Sequence, residues 1–329
     1  LFRSTCCKMI VIATDAWKPQ VNGVVSTLLK IQEECPEILF ITPDIFRCWT
    51  CPGYPEIKLA KVTMHKIDRL LSDAKYIHIA TEGPIGFAVR NWCVKNKRNF
   101  TTSYHTKFPE FLWHMYKIPT FLTYPYMKWF HSKSSAVMIA TDSLKADLEQ
   151  RGFKNLVKWT RGVDLKQFNP NPNIYRNKWF WLYVGRVSKE KNIEAFLELQ
   201  VDGSKFVVGD GPDRERLEKK YPDAIFTGKL TGDDLKKMYQ MADVFVFPSK
   251  ADTFGLVILE ALACGTPVAA YPVTGPIDIL NDKVGAMNES LLKACSKAIK
   301  LNRNDCYEFV KENYDWKKTA QMFISNLKV

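Results

Sequence analysis

The chain has 329 residues, which is too long for one ordinary hydrophobic core and fits about two domains. Hydrophobic residues make up 46% and charged residues 25% of the sequence, and these shares exclude a disordered, collagen-like or coiled-coil protein. Lys and Arg exceed Asp and Glu by 47 to 35, so the net charge is +12. Such a charge suits a phosphate-bearing ligand, an anionic membrane surface or nucleic acid, and it does not choose among them.

Membrane-spanning runs, signal-peptide features and cysteine usage bear on the cellular compartment of the protein. No apolar run approaches the ~18 residues that cross a bilayer, and the first residues contain no apolar region typical of a signal peptide. The nine cysteines are an odd number without a regular framework, which indicates reduced thiols in the cytoplasm. Cys48 and Cys51 form one isolated C-x-x-C, for which we expect a loop with two free thiols because a zinc ribbon needs a second pair.

Short apolar runs alternate with helical patterns in the first half of the chain. The predicted strands are Lys8–Ala13, Ile38–Ile41, Tyr76–Ala80, Phe100–Tyr104 and Ala136–Ala140. The predicted helices are Val24–Glu34, Gly86–Asn96 and Ser143–Gln150. Fully apolar strands separated by helices predict a parallel sheet that is covered on both faces.

A Pro- and Asn-rich stretch at Phe168–Asn173 interrupts this alternation and is the predicted linker. A second series follows, with strands at Trp179–Gly185, Phe206–Gly209, Ala224–Thr227, Val244–Phe247 and Pro267–Ala270. Its helices are Ile193–Leu199, Arg214–Tyr221, Asp234–Met241 and Leu256–Cys264. The sequence therefore predicts an α/β protein of two doubly wound, Rossmann-like domains, residues 1–165 and 166–315, which face each other across a cleft.

Two motifs of the first predicted domain follow buried strands. Asn22 and Gly23 open the first helix, where a glycine lets a ligand approach the backbone closely. His105 comes directly after the strand that ends at Tyr104, which places it at the rim of the cleft; the alternative is a structural histidine. The remaining histidines lack the spacing of metal ligands, so no metal site is predicted.

In the second predicted domain, Gly185 and Arg186 follow a strand, and Lys191 comes five residues after the arginine. Both cations could reach a diphosphate at the carboxyl end of that strand, although a run of charges is also typical of a solvated face. The nucleotide motifs G-x-G-x-x-G and G-x-x-x-x-G-K-[ST] are absent, since Arg214 replaces the third glycine after Gly209 and Gly211. A nicotinamide-dependent oxidoreductase and a P-loop NTPase therefore lose their main support.

The densest signal surrounds the helix that begins after Phe254 and Gly255. The backbone N–H groups of Leu256 and Val257 are expected to bind an anion at its positive end. Asp252 precedes this helix and Glu260 lies inside it, where both could bind sugar and ribose hydroxyls. The alternative is a surface aspartate and an ordinary helix glutamate, but a glutamate in an otherwise apolar helix needs a partner.

Taken together, these motifs resemble the retaining glycosyltransferases of family 4, which have the GT-B fold. The resemblance covers nearly the whole chain, and the branch most similar in its motifs contains GDP-mannose-dependent α-mannosyltransferases and sulfoquinovosyltransferases. The family's pair of carboxylates eight positions apart corresponds to Asp252 and Glu260, although the family normally has Glu at the first of them. The resemblance also implies that a C-terminal helix at about 316–329 packs back on the first domain.

The resemblance implies a mechanism that needs neither metal nor cofactor. Arg186, Lys191 and the helix N-terminus neutralise the leaving diphosphate, Glu260 binds the ribose, and Asp252 orients the sugar. His105 lies near the anomeric carbon, and Gly23 lets the first domain close over the phosphates. Retention is then expected by front-side attack, in which the hexose passes to a hydroxyl of a glycan, glycoprotein or lipid acceptor.

The nucleobase is expected beside Lys229 and Leu230, which follow the strand where this family holds the base. Asp233 or Asp234 could select guanine, because a carboxylate satisfies both of its N–H donors, or one of them could simply cap a helix. Resemblance to mannosyltransferases favours GDP-mannose as the donor, and a UDP-sugar is the alternative.

The acceptor region is less specific. The aromatic stretches at 111–116 and 121–129 could stack on sugars or lie at a membrane, or belong to the packed core. Four basic residues are expected around one helix, where they could give a peripheral contact with anionic lipid: Lys58, Lys61, Lys66 and Arg69. A nucleic-acid-binding protein lacks support because no such module is present, and a non-catalytic nucleotide-sugar-binding protein is a further alternative.

Overall fold

The protein is described by a computed structural model covering residues 10–20, 22–51, 54–171, 173, 178–250, 252 and 254–328, without the side chains of 54–56, 114 and 115. The chain divides into two compact units. The first contains Leu1–Pro109, Ile118–Thr160 and Trp316–Val329, and the second contains Glu110–Lys117 and Arg161–Asp315. The chain thus passes between the units at Thr160–Arg161, before the predicted linker.

The first unit is built on a six-stranded parallel sheet of order β2-β1-β5-β6-β7-β8. Its strands are β1 Ile10–Ala13, β2 Ile38–Ile41, β5 Tyr76–Ile79, β6 Thr101–Ser103, β7 Ala136–Ile139 and β8 Leu156–Lys158. Its helices are α1 Gly23–Glu34, α2 Met64–Leu71, α3 Pro84–Lys95, α5 Thr120–His131, α6 Asp142–Gln150 and α14 Trp316–Asn326. Helix α4, Phe108–Tyr116, is divided between the units. Lys8 and Met9 of the predicted first strand lie outside the described residues.

A two-stranded antiparallel hairpin, β3 Arg47–Cys51 and β4 Tyr54–Lys61, is added to the first unit. Two expectations were wrong here. Cys48 and Cys51 lie on strand β3 instead of a loop, and the Cys48 thiol donates to the carbonyl of Pro43 at 3.2 Å. Of the four basic residues expected around a helix, only two are on α2, because Lys58 and Lys61 are on β4.

The second unit repeats the same architecture with a parallel sheet of order β11-β10-β9-β12-β13-β14. Its strands are β9 Phe180–Val184, β10 Ser204–Val208, β11 Ala224–Gly228, β12 Val244–Phe247, β13 Val268–Ala270 and β14 Gly285–Met287. Its helices are α7 Glu194–Leu197, α8 Arg214–Lys220, α9 Gly232–Met241, α10 Leu256–Ala263, α11 Pro276–Ile279, α12 Leu291–Ala298 and α13 Arg303–Asn313. Strand β12 is completely buried, as its apolar sequence Val-Phe-Val-Phe requires of a central parallel strand.

Helix α14 completes the core of the first unit although it comes last in the chain. It packs on α1, and Phe323 is fully buried between Trp159 and His78, with ring centroids 4.8 and 5.0 Å away. The indole N–H of Trp159 donates to the carbonyl of Thr319 at 3.2 Å. In the part of the chain that the structure covers, no helix is long and apolar enough to span a membrane.

We expect Phe323→Ala to destabilise the first unit by about 3–5 kcal/mol, because it leaves a cavity under Trp159 and His78. Urea unfolding followed by tryptophan fluorescence measures this loss. Leu122→Ala, at a residue that is 60% exposed in the same unit, serves as the control and should change stability by less than about 0.5 kcal/mol. Equal effects of the two substitutions would show that α14 adds little to the core.

Candidate active site

The order of the second sheet locates a site. Successive βα units run outward in opposite directions from β9 and β12, which are neighbours at the centre. Loops after two such strands diverge and leave a crevice at their carboxyl ends, where doubly wound proteins bind ligands. The segment with Gly185, Arg186 and Lys191 follows β9, and the segment with Asp252 follows β12. The two strongest sequence signals therefore meet at this point of the sheet.

The turn after β9 is held by a buried tyrosine. The Tyr183 hydroxyl donates to the carbonyl of Arg186 at 2.7 Å. Burial raises the pKa of Tyr183 well above its ordinary value, and the charges of Asp252 and Glu190 raise it further, so the hydroxyl stays a donor. A Cβ atom at Gly185 would lie 2.9 Å from this hydroxyl oxygen. A glycine at this turn thus lets Tyr183 fix the backbone that carries Arg186.

Lys191 and Asp252 form an ion pair, with Lys191 Nζ 2.5 Å from Asp252 Oδ1. Asn192 brings their loops together: it adopts the left-handed conformation (φ 53°), and its side-chain amide donates to the carbonyl of Pro248 at 3.0 Å. Burial alone would raise the pKa of Asp252, but the Lys191 cation and a hydrogen bond from Ser249 outweigh it and hold the pKa below its usual value. Asp252 is therefore a carboxylate whose charge is neutralised by Lys191.

Helix α10 begins at this crevice with two amides that precede its first internal hydrogen bond. Gly255 caps it in the left-handed region (φ 91°), which favours glycine, and Ile258 N–H donates to Gly255 O at 2.9 Å. The amides of Leu256 and Val257 lie before that bond, at the positive end of the helix. Phe254 is buried with its ring 6.2 Å from that of Tyr314, so its side chain fixes the entry to the helix.

Glu260 lies inside the apolar helix α10, and its buried carboxyl group has a hydrogen-bond partner. The Tyr239 hydroxyl on α9 donates to Glu260 Oε2 at 2.8 Å. Burial raises the pKa of Glu260 to about 7, and the hydrogen bond from Tyr239 opposes this rise. Tyr239 is itself fully buried against the rings of Phe168 and Phe245. Glu260 is thus a rigidly placed carboxyl group that exchanges its proton near neutral pH.

The region predicted for the nucleobase is open. Lys229 is exposed and Leu230 half-buried, directly after β11. Asp233 and Asp234 lie in the first turn of α9 with side chains 79% and 72% exposed, and they pair with Lys236 and Lys237. Thr231 is the N-cap residue, so the alternative that one aspartate caps this helix was wrong.

In the first unit, Asn22 and Gly23 lie at the start of α1. The side-chain oxygen of Asn22 accepts hydrogen bonds from the amides of Val24 and Val25, both at 3.0 Å, and so acts as the helix cap. Gly23 is exposed in the first turn. Asn22 Oδ1 is therefore occupied by the helix, and a ligand role at this position rests on Gly23 and the backbone.

His105 follows β6 and is partly exposed, with its ring 5.7 Å from that of Trp159 in an edge-on arrangement. It thus lies at the carboxyl edge of the first sheet. Within the described residues, no group of three or more His, Cys, Asp or Glu side chains could hold a metal ion.

Three residues that shape the site were not predicted from the sequence: Tyr183, Tyr239 and Asn192. Tyr183 is one of several aromatic residues in β9, and Tyr239 and Glu260 are 21 positions apart on different helices, so spacing gives no signal for either. Asn192 had a usable signal, because asparagine tolerates the left-handed conformation in turns.

Two family models match the chain: "Glycosyltransferase Family 4" over residues 19–167 and "Glycosyl transferases group 1" over residues 164–316. Together they match residues 19–316, which include every strand of the two sheets except β1, and the chain belongs to the glycosyltransferases of family 4. It is 28% identical to a GDP-mannose-dependent alpha-mannosyltransferase of Mycobacterium tuberculosis, over 84% of this chain and 82% of that protein. It is 27% identical to sulfoquinovosyl transferase SQD2 of Arabidopsis thaliana, over 82% of this chain and 60% of that protein.

Solved structures give the same fold at low sequence identity. Sucrose-phosphate synthase from Thermosynechococcus elongatus matches with a TM-score of 0.76 at 18% identity. The match covers 97% of this chain and 98% of the synthase chain. Anabaena HepE in complex with UDP-glucose has a TM-score of 0.74 at 14% identity and covers 97% and 99%. The fold class is therefore GT-B, with two Rossmann-like α/β domains.

Proposed function

We propose that this protein is a retaining hexosyltransferase that moves mannose from GDP-mannose to a hydroxyl of a glycan or lipid acceptor. The observation that carries the proposal is the crevice at the ends of β9 and β12, where Lys191 pairs with Asp252, Arg186 follows β9, and the positive end of α10 begins. Cations and helix amides bind a diphosphate, and carboxylates accept hydrogen bonds from sugar hydroxyls. This arrangement suits a nucleotide sugar.

In the proposed reaction, Arg186, Lys191 and the amides of Leu256 and Val257 stabilise the negative charge that develops on the leaving diphosphate. Glu260 accepts hydrogen bonds from the ribose, and Asp252 from hydroxyls of the transferred sugar. His105, on the first sheet, acts near the anomeric carbon. The acceptor hydroxyl attacks the anomeric carbon from the face that the diphosphate leaves, as the bond between that carbon and the diphosphate breaks, and its proton passes to the departing phosphate oxygen. The configuration of the anomeric carbon is thereby retained, and no step requires a metal ion.

The choice of GDP-mannose rests on the relatives, since the mycobacterial protein is named for that donor. A UDP-sugar is the second candidate. The observation in its favour is that Asp233 and Asp234 are exposed and paired with lysines, so neither is committed to reading guanine. HepE, which shares the fold, was solved with UDP-glucose.

Calorimetry against GDP-mannose, GDP-glucose, UDP-glucose and UDP-N-acetylglucosamine, in EDTA, tests the proposal. We expect GDP-mannose to bind at least tenfold more tightly than any UDP-sugar, and NMR of the product to show an α-mannoside. Preferential binding of a UDP-sugar would support the second candidate. Binding without turnover over a broad set of acceptor sugars would indicate a non-catalytic binder, and binding of none would contradict the proposed function.

A further inference from the structure

The first sheet has its own central divergence of loops, between the neighbouring strands β1 and β5. Asp15 follows β1, and Glu82 follows β5. A ligand of the first unit is expected outside these two strand ends, for the same topological reason as in the second unit. The residues differ in charge, however: at this point the second unit pairs the carboxylate of Asp252 with the cation of Lys191, and the first unit has the two carboxyl groups of Asp15 and Glu82.

The two carboxyl groups are not equivalent. Asp15 is used by the fold, because it accepts hydrogen bonds from the amides of Ile85 and Gly86 at 2.8 and 3.2 Å and from the Thr81 hydroxyl at 2.9 Å. These bonds fasten the loop after β1 to the first turn of α3. Burial raises the pKa of Asp15 to about 6. Asp15 therefore shapes this edge of the sheet and has little capacity left for a ligand.

Glu82 is held differently, by a buried histidine on α5. His131 Nε2 lies 3.3 Å from Glu82 Oε1, and their side chains are 1% and 10% exposed. Among the residues that the structure describes, none hydrogen-bonds the second oxygen, Oε2, and the contact of Oε1 with His131 lacks hydrogen-bond geometry. The backbone carbonyl of Glu82 also accepts a hydrogen bond from Tyr126 at 3.0 Å, which fixes the residue's position.

The hydrogen bonds behind His131 define where its protons lie. The Ser134 hydroxyl donates to the carbonyl of His131 at 2.8 Å, so its oxygen accepts from the Thr102 hydroxyl at 3.3 Å. Thr102 Oγ1 therefore accepts from His131 Nδ1, which lies 2.8 Å away. The other ring nitrogen, Nε2, lies at ion-pair distance from Glu82 Oε1, without the geometry of a hydrogen bond. These hydrogen bonds hold the imidazole ring against the Oε1 side of Glu82, and Oε2 is left available to accept.

We propose that Glu82, held by His131, binds a hydroxyl of the acceptor, and that the group bound there is an uncharged, hydroxyl-rich sugar. This inference rests on the proposed function, since it assigns the second substrate of the same reaction. A carboxylate oxygen is a strong acceptor for sugar hydroxyls, whereas beside Asp15 it repels a phosphate group. Glu82 is thus a specificity-determining residue of the first unit, whereas phosphate binding belongs to the second.

The test uses Glu82→Gln, which keeps the shape of the side chain and removes its charge. The probes are methyl α-D-mannoside, methyl α-D-glucoside and mannose 6-phosphate, whose binding is measured by saturation-transfer NMR without donor. The neutral glycosides are expected to bind the unaltered protein, to bind the variant about tenfold more weakly, and to bind better than the phosphorylated sugar. Glu149→Gln, with a side chain 55% exposed on α6, is the matched control and should change nothing.

With GDP-mannose present, Glu82→Gln is expected to raise the acceptor KM about tenfold and to leave donor affinity and donor hydrolysis within twofold. Glu82→Asp keeps the charge, and its acceptor KM should lie between those of the unaltered protein and the glutamine variant. If thermal unfolding shows that the glutamine variant does not fold, the aspartate variant replaces it in the comparison. Equal glycoside binding by protein and variants, absence of neutral glycoside binding, or preference for mannose 6-phosphate would overturn the inference. The NMR measurement needs no donor. If GDP-mannose does not bind, the NMR result therefore still tests whether Glu82 binds an uncharged sugar.

Discussion

Replacing Arg186 with alanine is expected to lower the rate of sugar transfer about 100- to 1,000-fold, because the substitution removes a cation that stabilises charge on the departing diphosphate. The turn after β9 should keep its backbone, since the Tyr183 hydroxyl bonds the carbonyl of residue 186, which alanine retains. Initial rates with the donor identified by calorimetry measure the effect. Thermal unfolding of the same variant tests whether its structure is intact.

The chain offers a matched control for this substitution. Lys189 lies on the same short 3₁₀ turn as Lys191 and is exposed. Lys189→Ala removes one positive charge from the same loop and should change the rate less than twofold. A similar loss of activity in both variants would mean that the loop acts through its general charge, and a fully active Arg186→Ala would remove the proposed role of Arg186.

Glu260→Gln is expected to weaken donor binding about 100-fold, because a neutral amide loses the charge-assisted hydrogen bonds that a carboxylate makes to ribose hydroxyls. In the unaltered protein the pKa of Glu260 is about 7, so donor affinity should rise with pH as this group ionises. The variant should show no such rise. Calorimetric titration of the donor at pH 6, 7 and 8 measures both effects, and Glu312→Gln, on the exposed side of α13, is the control.

Glu260→Gln is expected to weaken donor binding but not to lower the stability of the fold at alkaline pH. Burial raises the pKa of Glu260 from 4.5 to about 7, so between these values the folded state binds a proton that the unfolded state has lost. The contribution of this group to folding is therefore complete below about pH 4.5 and is lost as the pH rises through about 7. Glu260→Gln should be at least as stable as the unaltered protein at pH 8. A less stable variant at pH 8 would show that burial of this charge costs little.

Most of the two sheets could be predicted from the sequence, because completely buried parallel strands read as short, continuous apolar runs. Strands Ile38–Ile41 and Val244–Phe247 have the predicted bounds. The hairpin β3–β4 was missed, because its exposed face carries Arg47, Trp49 and Lys61 and shows no continuous apolar run. Strand β8 was also missed; its sequence Leu-Val-Lys has only two apolar residues in succession.

Site residues were predicted where a motif lies on one continuous segment, as in Gly185–Lys191 or Asp252–Glu260. The sequence could not show which of these side chains face each other. The ion pair between Lys191 and Asp252 joins residues 61 positions apart, and the pair between Glu82 and His131 joins two elements that no motif connects. Such pairs depend on strand order, which the sequence leaves open.

Helix α14 has a consequence for how the protein is made. A nascent chain emerges from its N-terminus, and its domains ordinarily fold in that order. Here the contact between Trp159 and Thr319 joins positions 160 residues apart. The core of the first unit can therefore be completed only after nearly all of the second unit has been synthesised. Until then the apolar surface around Trp159 and His78 is uncovered, and a ribosome that stalls before residue 316 would leave an aggregation-prone product for chaperones or proteases.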